Sequence, residues 1–153
     1  MLRLGGRMMV PKFRAWDETQ HKMLQVNCIE FIDGKAYWVE ASTTDGNVQG
    51  GNDGPVRDNS QLKLEQSTGL KDDNGNEIYE GDILATSSRI GRELLTDYLK
   101  VDWREDYAGF FCGEKPLFAC LSEWDNDIKY PQTFPEIVGN VHENPELLEA
   151  QHD

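Results

Sequence analysis

The sequence predicts a mainly β, α+β protein: an N-terminal β-hairpin subdomain packed on a small C-terminal β-barrel of SH3-like order, with a short helix at the end. Three observations carry this. Apolar and polar residues alternate in several short runs, as half-buried strands require. Two strong turn dipeptides, Asp33-Gly34 and Asn74-Gly75, fall between such runs. After Ser67, turn signals recur at roughly the 8–12-residue spacing of small barrels and sandwiches.

Residues 1–10, MLRLGGRMMV, lack the continuous apolar core of a signal peptide and are read as a disordered leader or remnant upstream of the fold. Phe13 and Trp16 open a short strand that ends at the polar cluster Asp17 to Lys22. Leu24, Val26 and Cys28 then alternate with Gln25 and Asn27, and Asp33-Gly34 turns the chain into Lys35 to Ala41. Alternation plus Asp-Gly predicts a hairpin, with Tyr37 and Val39 on one side and Trp38 on the other. Residues 42–60, rich in Gly, Asp and Asn, are expected to form a flexible loop. The subdomain 11–66 closes with Gln61 to Glu65, where Leu62 and Leu64 alternate with polar neighbours.

The barrel, residues 67–153, begins with STGLKDDNGNEIYEGDILA. Asn74-Gly75 favours positive φ at adjacent positions, so the chain is expected to reverse there. Ile78, Tyr79, Ile83 and Leu84 suit a pleated surface, and Gly81-Asp82 interrupts them like a bulge or bend. Arg92 to Trp103 carries two periods: Leu94, Leu95, Tyr98 and Leu99 fit a helix, whereas Leu99, Val101 and Trp103 alternate. It is divided into an irregular or helical part up to about Asp97 and a strand from there to Trp103. Asp106 to Gly109 turns, and Phe110, Phe111 and Leu117 to Leu121 supply two more strands. Ile137 to His142 forms a last one. Asn144 caps a final helix through about Ala150, with Pro145 at its first position and Glu146 near its positive end. The strands beginning at Gly81, Val101, Gly109 and Val138 follow an SH3-like order, an analogy of fold only. The two parts could also form one compact domain.

The segment TGLKDDNGNEIYEGDI resembles the signature of the YopX family, small proteins encoded by phages and prophages. KFRAWDETQHKM at Lys12 to Met23 and IVGNVHENPELLE at Ile137 to Glu149 match the same pattern in the right order. The resemblance implies a phage or prophage origin, a small β-containing fold and self-association. It attaches no reaction, cofactor or catalytic residue to any position. Gly69, Asp72, Asn74, Gly75, Ile78, Tyr79, Gly81, Asp82 and Ile83 are therefore read as a structural signature rather than as a site.

Composition narrows the function classes. A chain of 153 residues is large enough to bury about two thirds of its unfolded surface without a disulfide or metal staple. Twenty-eight acids against fifteen bases give a net charge of −13, which repels a phosphate backbone at long range. Lys12, Arg14, Lys22, Arg89, Arg92, Lys100 and Arg104 are dispersed and read as solvated faces. Three cysteines without Cys-x-x-Cys spacing fit a reducing compartment, the cytoplasm of a host bacterium. No segment reaches the roughly 18 apolar residues of a membrane span.

No residue pattern specifies a reaction, a metal or a cofactor. Asp72, Asp73, Asn74, Asn76 and Glu77 crowd around Gly75, but the glycine comes too early for an EF-hand loop, so a solvated hairpin tip is expected. Glu77, Glu80 and Asp82 are close in sequence, yet general acid-base work needs carboxylates driven apart in pKa within one pocket. Glu80 is expected instead to satisfy backbone donors at the bend. His21, His142 and His152 lack metal-pair spacing, and His142 is expected to face outward. Cys112 and Cys120 are read as small hydrophobes in strands. Trp16, Trp38, Trp103 and Trp124 suit core or interface positions. The leading expectation is a non-enzymatic accessory protein that self-associates and binds a phage or host protein through an aromatic-rich face or the 42–60 loop. The alternatives are a nucleic-acid-associated regulatory module and an acidic DNA mimic.

Overall fold

Short runs of β-branched and aromatic residues between turn formers favour many short strands. The computed structural model describes residues 11–43, 48–51, 62–90, 92–121 and 132–149. Among these the chain is mainly β, with two antiparallel sheets and two short helices. The first sheet has the order β4 (Val48–Gly51), β3 (Lys35–Ser42), β2 (Lys22–Ile32), β1 (Phe13–Asp17), β5 (Leu62–Lys71) and β6 (Glu77–Tyr79). The second runs β10 (Lys115–Pro116), β9 (Gly109–Cys112), β8 (Glu93–Arg104), β7 (Asp82–Ile90) and β11 (Gln132–Asn140). Both sheets have free ends, so the SH3-like barrel expected for residues 67–153 is not closed.

The first hairpin follows its turn dipeptide. Asp33 and Gly34 both take positive φ, 54° and 77°, the twist a two-residue loop needs to match flanking strands. Ile32 then pairs with Lys35. Alternation puts Ala15, Leu24, Val39, Ala41 and Leu62 into one buried cluster, with Val26 and Leu64 packed against it. β5 continues unbroken across residues 66 and 67, the expected boundary between the two parts. It pairs with β1 as far as Gln66 and with β6 from Ser67 onward. Of the loop expected at 42–60, Val48–Gly51 is a strand paired with β3, because Glu40 and Ser42 offer an open edge. Residues 44–47 and 52–60 lie outside the described residues, as do the leader 1–10, Trp124 and His152.

The second core holds Ile78, Leu84, Val101, Cys112 and Leu117. Ile78 belongs to an edge strand of the first sheet, so its burial joins the two sheets. Two helix-strand assignments reverse. Residues 93–97 are strand rather than helix, because β8 pairs with β7 throughout, from Ile83↔Lys100 to Ile90↔Glu93. Leu117–Leu121 is a helix, α1, rather than a strand. Its i, i+3, i+4 residues Leu117, Cys120 and Leu121 face the core, leaving Phe118 outside. The final helix, α2, is Glu146–Glu149. The Asn144 carbonyl accepts from Leu147 N–H, while its side-chain oxygen accepts from Asn140 N–H at 3.3 Å and so reaches back to the preceding turn.

The signature turn is solvated at its tip, where Asp73, Asn74, Gly75 and Asn76 are exposed, as expected, but Asp72 is buried beneath it. Gly75 has φ 84° and its N–H donates to the Asp72 carbonyl, but of the Asn74-Gly75 pair only the glycine is left-handed. The Asp72 carboxylate is buried and accepts three backbone N–H bonds, from Asn74, Asn76 and Ile137, at 2.8–3.0 Å. It holds the turn in shape and ties it to β11. Asp72→Asn places an amide N–H₂ against at least one of these donors and is expected to cost about 1–3 kcal/mol. Asp73→Asn, at an exposed position, is expected to stay within about 0.5 kcal/mol. Urea unfolding of both variants checks the contrast, and equal midpoints would refute it.

Candidate functional site

At the junction of the sheets lies a buried ionic cluster centred on Arg14 of β1. Its guanidinium donates to Glu65 at 2.9 Å, to Asp82 at 2.7 Å and to the Glu80 carbonyl at 3.1 Å. It also lies 5.0 Å from the centroid of the Tyr79 ring, within cation–π range. Side-chain exposure is only 14% for Arg14 and 3% for Asp82. The solvated role expected for Arg14 is therefore corrected. A planar fork with five donors can serve three acceptors and a ring face together, which a lysine could not.

His142, expected to face outward, closes the other side of this cluster. Its Nε2 is 2.9 Å from Glu65 Oε2. Its ring stacks on buried Trp16, with centroids 4.9 Å apart and planes 8° from parallel. Gly81 threads between: its N–H donates to the Val101 carbonyl and its own carbonyl accepts from Val141 N–H. With φ +86° it occupies the left-handed region, and a Cβ there would collide with the Glu65 carboxylate.

The acids outnumber the firm cations. Burial pushes the Glu80 carboxyl above its usual range, against the Gln66 backbone N–H that donates to it at 2.9 Å. Burial likewise raises Asp82, with the Arg14 charge and the Tyr79 N–H opposing. A carboxyl raised on folding takes up its proton before the unfolded chain does. Its ionised form therefore costs stability above the folded pKa, and the cost fades as pH falls toward the unfolded value. Glu80→Gln keeps an acceptor for Gln66 and removes the charge. It is expected to be at least as stable as wild type at pH 7, with its advantage shrinking as the pH falls through the raised Glu80 value. Urea midpoints across that range test this, and a pH-independent difference would contradict it.

A second feature sits at one end of the second sheet. Tyr107 is 64% exposed and Phe118 68%. Trp103 and Leu70 are also exposed. Trp103 and Phe110 pack edge to face at 5.1 Å, Tyr107 and Phe111 lie 5.1 Å apart, and Arg104 covers the Phe111 ring at 4.8 Å. A cavity of about 390 Å³ opens between Leu70, Tyr107, Phe111, Pro116, Leu117 and Phe118. Another, of about 480 Å³, lies on the first sheet between Phe13, Val26, Phe31 and Tyr79. Among the described residues no group of three or more His, Cys, Asp or Glu side chains is placed to hold a metal ion.

The three segments with a recognisable pattern each send a residue into the ionic cluster: Arg14 from the first, Tyr79 and Asp82 from the second, His142 from the third. The family model described as YopX protein matches residues 12–149. The chain belongs to the YopX family. Among solved structures it is similar to the crystal structure of protein EF1440 from Enterococcus faecalis. The two are 28% identical, with a TM-score of 0.59, over 92% of this chain and 99% of that one. No curated protein matches the chain.

The signature residues divide between several places. Tyr79 and Asp82 meet at Arg14, and Ile78 and Ile83 are fully buried. Gly69, φ +80°, sits where the register between β5 and β6 shifts. Asn74 and Gly75 stay exposed at the tip, away from the cluster. Sequence reasoning missed Arg14, Glu65 and His142. Arg14 and His142 lie inside the family-like segments, a signal that was available. Glu65 lies outside them and carried none.

Among the described residues no helix is long and apolar enough to cross a membrane.

Proposed function

We propose that the chain is a phage- or prophage-encoded accessory protein that acts without catalysis in the cytoplasm of a host bacterium. In this reading it self-associates and binds a protein partner through the aromatic face around Tyr107 and Phe118. The carrying observation is the exposure of these two rings beside a cavity, with Arg104 adjoining Tyr107. Tyr, Trp, Phe and Arg are the residue types enriched at interface cores, and exposed apolar patches mark contact surfaces. The non-catalytic reading is supported by the occupied state of the cluster carboxylates: Glu65 and Asp82 pair with Arg14, and Glu80 holds a backbone N–H.

Light scattering after size exclusion, at several concentrations, tests the reading. Wild type is expected above monomer mass, and Tyr107→Ser with Phe118→Ser is expected to shift it toward monomer while leaving the thermal midpoint close to wild type. A wild type that is monomeric at every concentration and captures no phage or host protein would overturn it. A second reading, an acidic DNA mimic that occupies a basic host protein, rests on the net charge of −13. Capture that weakens steeply with salt favours the mimic, because exposed charge is screened. Capture that is insensitive to salt but lost in the double variant favours the aromatic face.

A further inference from the structure

Helix α1 is held to the second sheet by an inward stripe, and one member of that stripe is a cysteine. Cys120 packs with Leu117 and Leu121 against the cluster that contains Cys112 of β9. Each thiol is the first cause of the other's pKa shift, upward for Cys112 and downward for Cys120. β10 pairs Lys115 with Cys112 and Pro116 with Phe111, so the chain turns back beside β9 and starts the helix there. The third cysteine, Cys28, is exposed on β2 of the other sheet.

We propose that Cys112 and Cys120 are a modification site: a pair that a peroxide converts to a disulfide, fastening α1 to β9. The roles of the two sulfurs follow from their surroundings. The Cys112 thiol, by donating its hydrogen bond, holds Cys120 below the ordinary thiol range, with Lys115 acting in the same direction. Cys120 is the less buried of the two residues, so it is the one an oxidant reaches first. Its thiolate attacks one peroxide oxygen and breaks the O–O bond. Cys120 becomes a sulfenic acid, and the departing hydroxide leaves as water with one proton. Cys112 is fully buried, and both its hydrogen bond to Cys120 and that burial keep it as the thiol. It gives up its proton as its sulfur attacks the sulfenic sulfur, which expels a second water and forms the S–S bond. In sum, two thiols and one peroxide give one disulfide and two waters. Forming the bond requires the two sulfurs to close to about 2.05 Å.

The pair is independent of the docking role assigned to Phe118, since thiols can be mapped without any partner. The test uses the full chain carrying Cys28→Ser, which removes the exposed thiol. After a small molar excess of hydrogen peroxide and quenching, free thiols are titrated in denaturant and the chain is mapped by cleavage after glutamate. Glu114 lies between the two cysteines, so their peptides separate unless bridged. The expected result is loss of both thiols, a Cys112–Cys120 linked peptide and recovery on reduction with dithiothreitol. In Cys28→Ser with Cys120→Ser, Cys112 is expected to remain a thiol under the same treatment. Two free thiols after peroxide, or Cys120 carried on to sulfinic acid beside an intact Cys112 thiol, would overturn the proposal.

Discussion

Arg14→Leu is expected to lower the unfolding free energy by about 3–5 kcal/mol, the range for removing one partner of a buried ion pair. Three consequences combine. Asp82, 3% exposed at its side chain, loses its counterion, Glu65 keeps only His142, and the Glu80 carbonyl loses a donor. The cost comes mainly from the stranded charges rather than from the worth of the bonds themselves. Adding Asp82→Asn to Arg14→Leu should therefore cost less than the sum of the two single changes. Urea unfolding at pH 7 decides it, through a fall in midpoint with the slope unchanged. A loss below about 1 kcal/mol would place Arg14 among the weak surface pairs.

Ile83→Ala is expected to cost about 2–5 kcal/mol. Ile83 is fully buried on β7 and lies between Lys100 of β8 and Gly139 of β11 in the sheet register. Neighbours fixed on both sides by ladder hydrogen bonds cannot collapse into the space left behind, so both the transfer and the cavity contributions apply. Ile83→Val, which removes one methylene, should cost about 0.5–1.5 kcal/mol. Thermal melts and urea midpoints of the two variants test the ordering, and equal effects would contradict it.

How far the sequence led depended on whether the deciding contact was local. The Asp33-Gly34 hairpin was legible because two residues set both the turn and the register. The Asp72 turn was half legible. A carboxylate accepting from the N–H groups two and four residues on is a local motif, but its third bond comes from Ile137, which no local pattern announces. Leu94 and Leu95 fit a helix by spacing and became strand because Arg89 and Ser88 lie opposite them in the ladder. Leu117–Leu121 is too short for periodicity to separate helix from strand. The ionic cluster was the least legible feature. Arg14, Glu65, Asp82 and His142 come from four separate stretches, and only the folded path brings them within bonding distance.

The place of β11 in the second sheet has a consequence for synthesis on the ribosome. β7 finds one neighbour, β8, directly along the chain, but its other edge stays bare until residues 132–140 emerge. During that interval the nascent chain offers an unpaired strand containing Ile83 and Leu84 to any passing β edge. The Asp72–Ile137 bond and the Glu65–His142 contact form only with the same late segment. A ribosome stalled before β11 would thus release a chain prone to aggregate, even though most of its strands had already been made. Completion of the C-terminal segment is what covers the open edge of β7 and supplies both of these contacts.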